Sequence, residues 1–260
     1  MNDETGVPHP LYRVDLVVEG RAHLYDVTTQ DGTVRYPGVT GFLSVINKPA
    51  LVPWAKKEAL SLVESAIMKR LDGRPTARIV LNKAWVDAVL QEARKRPDLL
   101  KDQAADLGTR AHAFIDLIIH GREPEAVPPE IEAPVNAFKD WWRRSGIELV
   151  MGDTKVASRI HCFGGSLDAL GRRGGRYMIL DWKTGSGIYP EYALQTAAYA
   201  QAFTETYGLP CQDAVIVRFG KKPPIEFEVK ELANVETSLL AFLAAKDLKQ
   251  SLEKPHFIEW

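Results

Sequence analysis

The sequence is poor in cysteine, balanced in charge and free of long apolar runs. Its two cysteines, Cys162 and Cys211, stand far apart and form no CxxC pair. That disfavours both a disulfide scaffold and a structural zinc or iron–sulfur site. No stretch approaches the ~18 consecutive apolar residues of a membrane span, so no membrane partner is expected. The opening residues Met1-Asn2-Asp3-Glu4-Thr5 lack the charged and then apolar pattern of a secretory leader, and the expected location is cytoplasmic. Formal net charge is only −1. Whole-chain charge therefore points to no polyanionic partner, and any such binding has to come from local patches. A GxxxxGK(S/T) loop is missing, which excludes a self-contained P-loop motor. Internal repeats and low-complexity segments are absent as well.

What is present is the make-up of a soluble globular chain. In its 260 residues, 45% are hydrophobic and 26% charged, enough to bury a large core without covalent staples. Residues 10 to 38 alternate apolar positions with turn signals at Glu19-Gly20 and Gln30-Asp31-Gly32, which predicts short antiparallel strands. Pro53 opens a predicted helix running to about Leu71, and residues 82 to 103 are charged and helix-prone around Arg96-Pro97. A further helical pattern occupies 104 to 120, and Pro128-Pro129 precedes another that ends near Trp141-Trp142-Arg143-Arg144. After Gly146 three β-like runs follow at about 147 to 158, 163 to 170 and 176 to 183. Then come a helix over 191 to 207, strands near 213 to 219 and 225 to 229, and a helix near 232 to 250. The expected division is an N-terminal β-strand and helical elaboration over 1–100 packing on an α/β core over 101–260.

The chemistry gathers on two of these strands. Strand residues two apart share a face, so Asp181 and Lys183 in Ile179-Leu180-Asp181-Trp182-Lys183 project together, opposite Leu180 and Trp182. Asp168 ends the segment Gly164-Gly165-Ser166-Leu167-Asp168, and a hairpin would bring it beside Asp181. Two converging carboxylates repel each other unless a cation lies between them, and hard oxygen donors favour magnesium or manganese. A metal, two carboxylates and a lysine suit phosphodiester hydrolysis. The backbone carbonyl of Trp182 is a candidate further metal ligand. Lys183-Thr184-Gly185 and Ser251-Leu252-Glu253-Lys254 match β-lactamase boxes, but in reversed order, and are read as coincidence.

These residues sit within a wider resemblance. Gly108-Thr109-Arg110-Ala111-His112, Gly165-Ser166-Leu167-Asp168, Asp181-Trp182-Lys183 and Gln195-Thr196-Ala197-Ala198-Tyr199 occur in this order. The chain thereby resembles RecB-type members of the PD-(D/E)XK nucleases, close to phage-encoded and mitochondrial genome maintenance exonucleases. The likeness covers about 104 to 207. It extends more weakly upstream through Tyr36-Pro37-Gly38-Val39-Thr40 and Pro53-Trp54-Ala55.

The resemblance implies a restriction-endonuclease-like core: a mixed central β-sheet flanked by helices, preceded by the N-terminal β/helical elaboration. It implies metal-dependent exonucleolytic hydrolysis of DNA with free ends, in phage replication or recombination and alongside a partner protein. His112 would be a metal ligand or phosphate contact, Asp168 and Asp181 the metal carboxylates, and Lys183 the water-activating base or electrostatic partner. Gln195 and Tyr199 would help hold the site and the DNA backbone. Relatives in CRISPR adaptation carry a cysteine-ligated cluster, for which two cysteines do not suffice. One departure is Asp153, where relatives often carry Glu. Outside the resemblance, Arg172, Arg173 and Arg176 around a glycine-rich turn, and Lys221-Lys222 in another, are candidate phosphate contacts. An endonuclease and a non-cleaving DNA-binding recombination subunit are the alternatives.

Overall fold

The computed structural model describes residues 7–46, 48–71, 80–124, 126–220 and 227–254. The N-terminal Met1–Thr5 and the Lys221-Lys222 turn lie outside the described residues. The chain forms two compact units: residues 1–46 with 111–260, and residues 47–110.

The first unit opens on a three-stranded antiparallel meander, β1 (Arg13–Glu19), β2 (Ala22–Thr29) and β3 (Gly32–Pro37). The β1–β2 turn is possible because Gly20 adopts φ +62°, a conformation most side chains resist. A short helix α1 (Val39–Phe42) and a single 3-10 turn follow. The main sheet has five strands in sequential order: β4 (Glu148–Ser158), β5 (Phe163–Arg173), β6 (Arg176–Thr184), β7 (Cys211–Phe219) and β8 (Phe227–Glu231). All neighbours are antiparallel except β6 and β7, which are parallel and so need a crossover.

Three further helices belong to this unit: α4 (Pro129–Ser145), the crossover α5 (Pro190–Tyr207) and α6 (Val235–Glu253). Local chemistry places their ends. Pro stands in the first turn of α4 and α5, and Gly146 and Gly208 follow them with φ of +66° and +68°. Asn234 caps α6 by accepting the Thr237 N–H at 2.9 Å.

Helices cover both faces of the sheet. On one, α5 and α6 bury Ala198, Tyr199, Phe203 and Phe242 with Val156, Phe163, Leu167 and Ile179. On the other, Ile115 and Phe138 pack with Ala169, Leu180, Trp182 and Val217. Trp141 and Trp142 are both half-buried against Phe138, at 5.6 and 6.1 Å between ring centres. The expected mixed sheet flanked by helices is therefore the observed architecture. The meander packs through Tyr12 and Val27 on Ala157, and Tyr12 donates to its carbonyl at 2.7 Å.

The second unit holds α2 (Leu51–Arg70) and the first part of α3 (Lys83–Ile119), whose last part, from Ala111, lies in the first unit. The two helical patterns read at 82–103 and 104–120 thus form one helix that includes Pro97. A proline inside a helix forfeits one backbone hydrogen bond, and flanking residues with high helix propensity carry the helix through it. Arg70 stacks 5.0 Å from the Trp85 ring centre within this unit. Among the described residues no helix is long and apolar enough to cross a membrane.

Candidate active site

The site is built where β5 and β6 part. Their ladder runs from Arg173↔Arg176 to Ala169↔Leu180 and stops there. One step on, Asp168 faces Asp181, and a side chain takes over from the backbone. The Asp168 carboxylate accepts the Trp182 N–H at 2.7 Å. Beyond that point β5 stays paired with β4, and β6 with β7 as far as Thr184↔Phe219. The result is a fork with Asp168 on one prong and Asp181 and Lys183 on the other.

Asp168 also marks a break in alternation. Leu167 belongs to the core under α5, whereas Ala169 belongs to the core under α3 and α4. In a regular strand two such positions share a face. On β4, Asp153 lies opposite, between the pairs Thr154↔Leu167 and Gly152↔Ala169, and has φ +35°. Few non-glycine residues adopt that conformation. The irregular backbone of Asp153 and the break in alternation at Asp168 thus lie opposite each other at the fork. The exposed Asp153 carboxylate is itself ion-paired with Lys155.

The electrostatics follow from burial and like charge. Removal from water, reinforced by the Asp181 carboxylate, pushes the Asp168 carboxyl up to about 7, against the opposing pull of Lys183. Asp181 is 2% exposed. Its Oδ1 accepts from Lys183 Nζ at 2.8 Å. Its Oδ2 lies 2.7 Å from the same ammonium but outside hydrogen-bonding geometry, and is left without a hydrogen bond. That oxygen is thus met by one positive charge but by no aligned donor, which leaves its hydrogen-bonding capacity unused. Lys183 Nζ also sits 5.0 Å from the Tyr192 ring centre.

His112, near the end of α3, brings Nδ1 to 3.6 Å from Asp168 Oδ1, beyond hydrogen-bond length. Burial, with help from the Lys183 charge, lowers its pKa, which favours neutral imidazole, the form able to ligate a metal. Asp116, the alternative partner one turn on, instead faces His120 at 3.3 Å. Gln195 and Tyr199 lie on the inward face of α5, with Gln195 Nε2 donating to Tyr199 Oη at 2.8 Å. Burial and the Asp181 charge push the Tyr199 phenol well up.

The fork thus brings Asp168, Asp181, Trp182, Lys183 and His112 together, with Gln195 and Tyr199 beneath. It does not bring Arg172, Arg173 and Arg176 there. These flank the Gly174-Gly175 turn at the opposite end of the hairpin, five residues from Asp168 or roughly 17 Å of strand. Each has a carboxylate partner: Glu148 at 3.0 Å, Glu231 at 2.8 Å and Asp213 at 3.2 Å. The length of the strand therefore sets this turn apart from the carboxylates.

Sequence reasoning missed Tyr25 and Tyr192. Tyr25 reaches Ser166 Oγ at 3.2 Å and packs on Gly164, while Tyr199 packs on Gly165. A Cβ at Gly164 or Gly165 would come within 2.4 or 2.3 Å of those rings. The glycine doublet was the available signal, since two adjacent residues without side chains admit a ring on each face. For Tyr192 the signal was its spacing three before Gln195, on the same helical face.

Among the described residues no group of three or more His, Cys, Asp or Glu is assembled to hold a metal. The donors at the fork are two carboxylates, one with an unsatisfied oxygen, a neutral imidazole and the Trp182 carbonyl. That set fits a hard divalent ion whose remaining positions are taken by water.

No curated protein matches the sequence. Solved structures show distant likeness. The protein SSO0001 is 12% identical, with 75% of this chain and 89% of that one covered and a TM-score of 0.40. A candidate exonuclease from Eubacterium rectale is 13% identical, with 74% of each chain covered and a TM-score of 0.40. An alkaline exonuclease from Laribacter hongkongensis is 17% identical, with 56% of this chain and 84% of that one covered and a TM-score of 0.29. The family rests on a different match: residues 61–257, about three quarters of the chain, fit the PD-(D/E)XK nuclease superfamily. With its five-stranded mixed sheet between helices, a restriction-endonuclease-like core, the chain belongs to that superfamily of nucleases.

Proposed function

We propose that the chain is a divalent-metal-dependent deoxyribonuclease of the RecB-type branch, acting as an exonuclease on DNA with free ends. The observation that carries this reading is the buried Asp181 oxygen without a hydrogen bond, beside an Asp168 held up to about 7. A pair arranged this way is relieved by a cation, and a binding-only protein has no use for the strain. Asp168, Asp181 and the Trp182 carbonyl would hold magnesium or manganese, with His112 as further ligand or phosphate contact. When bound, the ion supplies charge neutralisation of the phosphate and a more acidic water.

The residues of the chain do the positioning. A water gives up one proton to solvent as its oxygen forms a new bond to phosphorus, the bond to the leaving oxygen breaks, and that oxygen takes a proton from solvent. Lys183, anchored by Asp181, presents positive charge and N–H donors to the phosphate as negative charge grows on it. Asp168 orients through the Trp182 N–H, and the Gln195–Tyr199 bond braces α5 under the fork. A setting in phage DNA replication or recombination, with a partner protein in the host cytoplasm, goes with this reading.

The test is digestion of end-labelled linear and of circular DNA with magnesium, manganese or EDTA, comparing the wild type with Asp168→Ala and Lys183→Ala. Expected are shortening of linear DNA with metal, intact circles, and inactive variants. Variants that cut like the wild type, or a wild type that cuts under no metal, would overturn the reading. Discrete bands from circles would mark an endonuclease instead.

A further inference from the structure

The near-neutral chain conceals two units of opposite charge. Residues 47–110 hold 13 Lys and Arg against 8 Asp and Glu, whereas the remainder holds 20 against 26. A net charge of −1 is thus about +5 on the small helical unit and about −6 on the unit with the sheet. We propose that α2 and the part of α3 before Ala111 form the phosphate-binding element of this protein, gripping the DNA backbone without reading sequence. The proposal rests on the nuclease reading and says which surface holds the substrate.

Three observations carry it. First, Lys56, Lys57, Lys69, Arg94, Lys95 and Arg96 are exposed and, among the described residues, form no ion pair. Lys83 and Lys101 pair locally, with Asp87 and Asp98. Arg94, Lys95 and Arg96 are exposed in succession along α3, so they spread positive charge round the helix, where it is open to an external polyanion. Second, the arginines of the other unit that chain order puts forward, Arg172, Arg173 and Arg176, are already neutralised by Glu148, Glu231 and Asp213. Third, the occupant is a polyphosphate and not a lipid surface. Helices that lie on membranes gather apolar residues along one side, whereas those of α2 are spread round the helix, with Leu51, Leu60 and Met68 all exposed.

Binding of the full chain to fluorescein-labelled DNA of mixed sequence in EDTA, where no cleavage proceeds, tests the proposal over ~0.05 to 1 M salt. A variant with Lys56, Lys57, Arg94, Lys95 and Arg96 all changed to Gln is compared with one carrying Arg172→Gln, Arg173→Gln and Arg176→Gln. Glutamine keeps helix propensity while removing charge. The five-fold variant is expected to show a log affinity against log salt slope shallower by about 2, and affinity about 100-fold weaker near 0.1 M. The difference should vanish towards ~1 M salt, which a folding defect would not do. The three-fold variant should bind like the wild type.

Wild-type slope and affinity in the five-fold variant overturn the proposal, as does an equal loss in the three-fold variant. In either case, cleavage by the wild type leaves the nuclease reading standing. A wild type that neither binds nor cuts DNA sinks both. Binding to vesicles of anionic phospholipid through the same five residues, with no effect on DNA, overturns the polyphosphate assignment.

Discussion

The two compact units solve different problems. The larger one buries Phe138, Phe163, Phe203 and Phe242 completely and sets its polar chemistry at a fork between strands held from both faces. In the smaller one, α2 buries no residue, and Ala93 is the one buried hydrophobic among the described residues of 47–110. Chemistry that depends on tenths of an ångström is therefore placed on packed strands. A surface that needs only positive charge tolerates helices with little core. Geometric precision costs burial, and long-range attraction does not.

The sharpest way to break this contrast is through rate. Lys183→Ala should lower cleavage about 1,000-fold or more while leaving DNA affinity within a few fold, measured by single turnover and by anisotropy. A large loss of affinity would mean that the fork, and not the basic unit, holds the substrate.

Stability should divide the same way. Phe138→Ala is expected to cost about 3–5 kcal/mol in denaturant unfolding, against less than about 0.5 for the exposed Leu60→Ala. Comparable costs would show that α2 has a core of its own. Gly165→Ala, which drives a methyl into the Tyr199 ring, should cost about 1–3 kcal/mol.

Asp168 gives a pH signature. With a folded pKa raised to about 7, the folded state keeps its proton to higher pH than the unfolded chain does. Metal-free stability should then fall as pH rises from ~4 to ~7 and level off above. Asp168→Asn keeps an acceptor for the Trp182 N–H and removes the charge. It should raise stability by on the order of 1–2 kcal/mol at about pH 8 and change little near pH 4. Equal stability of the two proteins at both values would mean that the fork imposes no strain. In the wild type, metal binding should weaken as pH falls below about 7, because the proton competes with the cation for the Asp168 carboxylate.

The smallest expected effect is at the hairpin. Arg172→Gln should change stability by less than about 1 kcal/mol, because exposed ion pairs contribute little.

Much of this was legible from local pattern. The three strands after Gly146, the crossover helix and the shared side of Asp181 and Lys183 all follow from periods of 2 and 3.6 and from Pro and Gly at element ends. The element order α-β-β-β-α-β was readable for the same reason. Less legible was anything carried between strands. The place where the β5–β6 ladder stops, and the irregular backbone of Asp153 opposite Asp168 on β4, appear only once the strands are paired. Tyr25 lies 141 positions from Ser166, so no window on the sequence joins them.

By itself the sequence determined the elements, the order of the motif residues and the chemical types available at the site, because these depend on neighbours along the chain. Only the tertiary structure decided which charges are spent and which remain free. It set Glu148, Glu231 and Asp213 against the hairpin arginines, left Lys56, Lys57, Lys69, Arg94, Lys95 and Arg96 without an ion pair among the described residues, and gave one Asp181 oxygen no aligned donor. Pairing between distant residues is decided by packing, and a near-zero net charge says nothing about how it is partitioned in space.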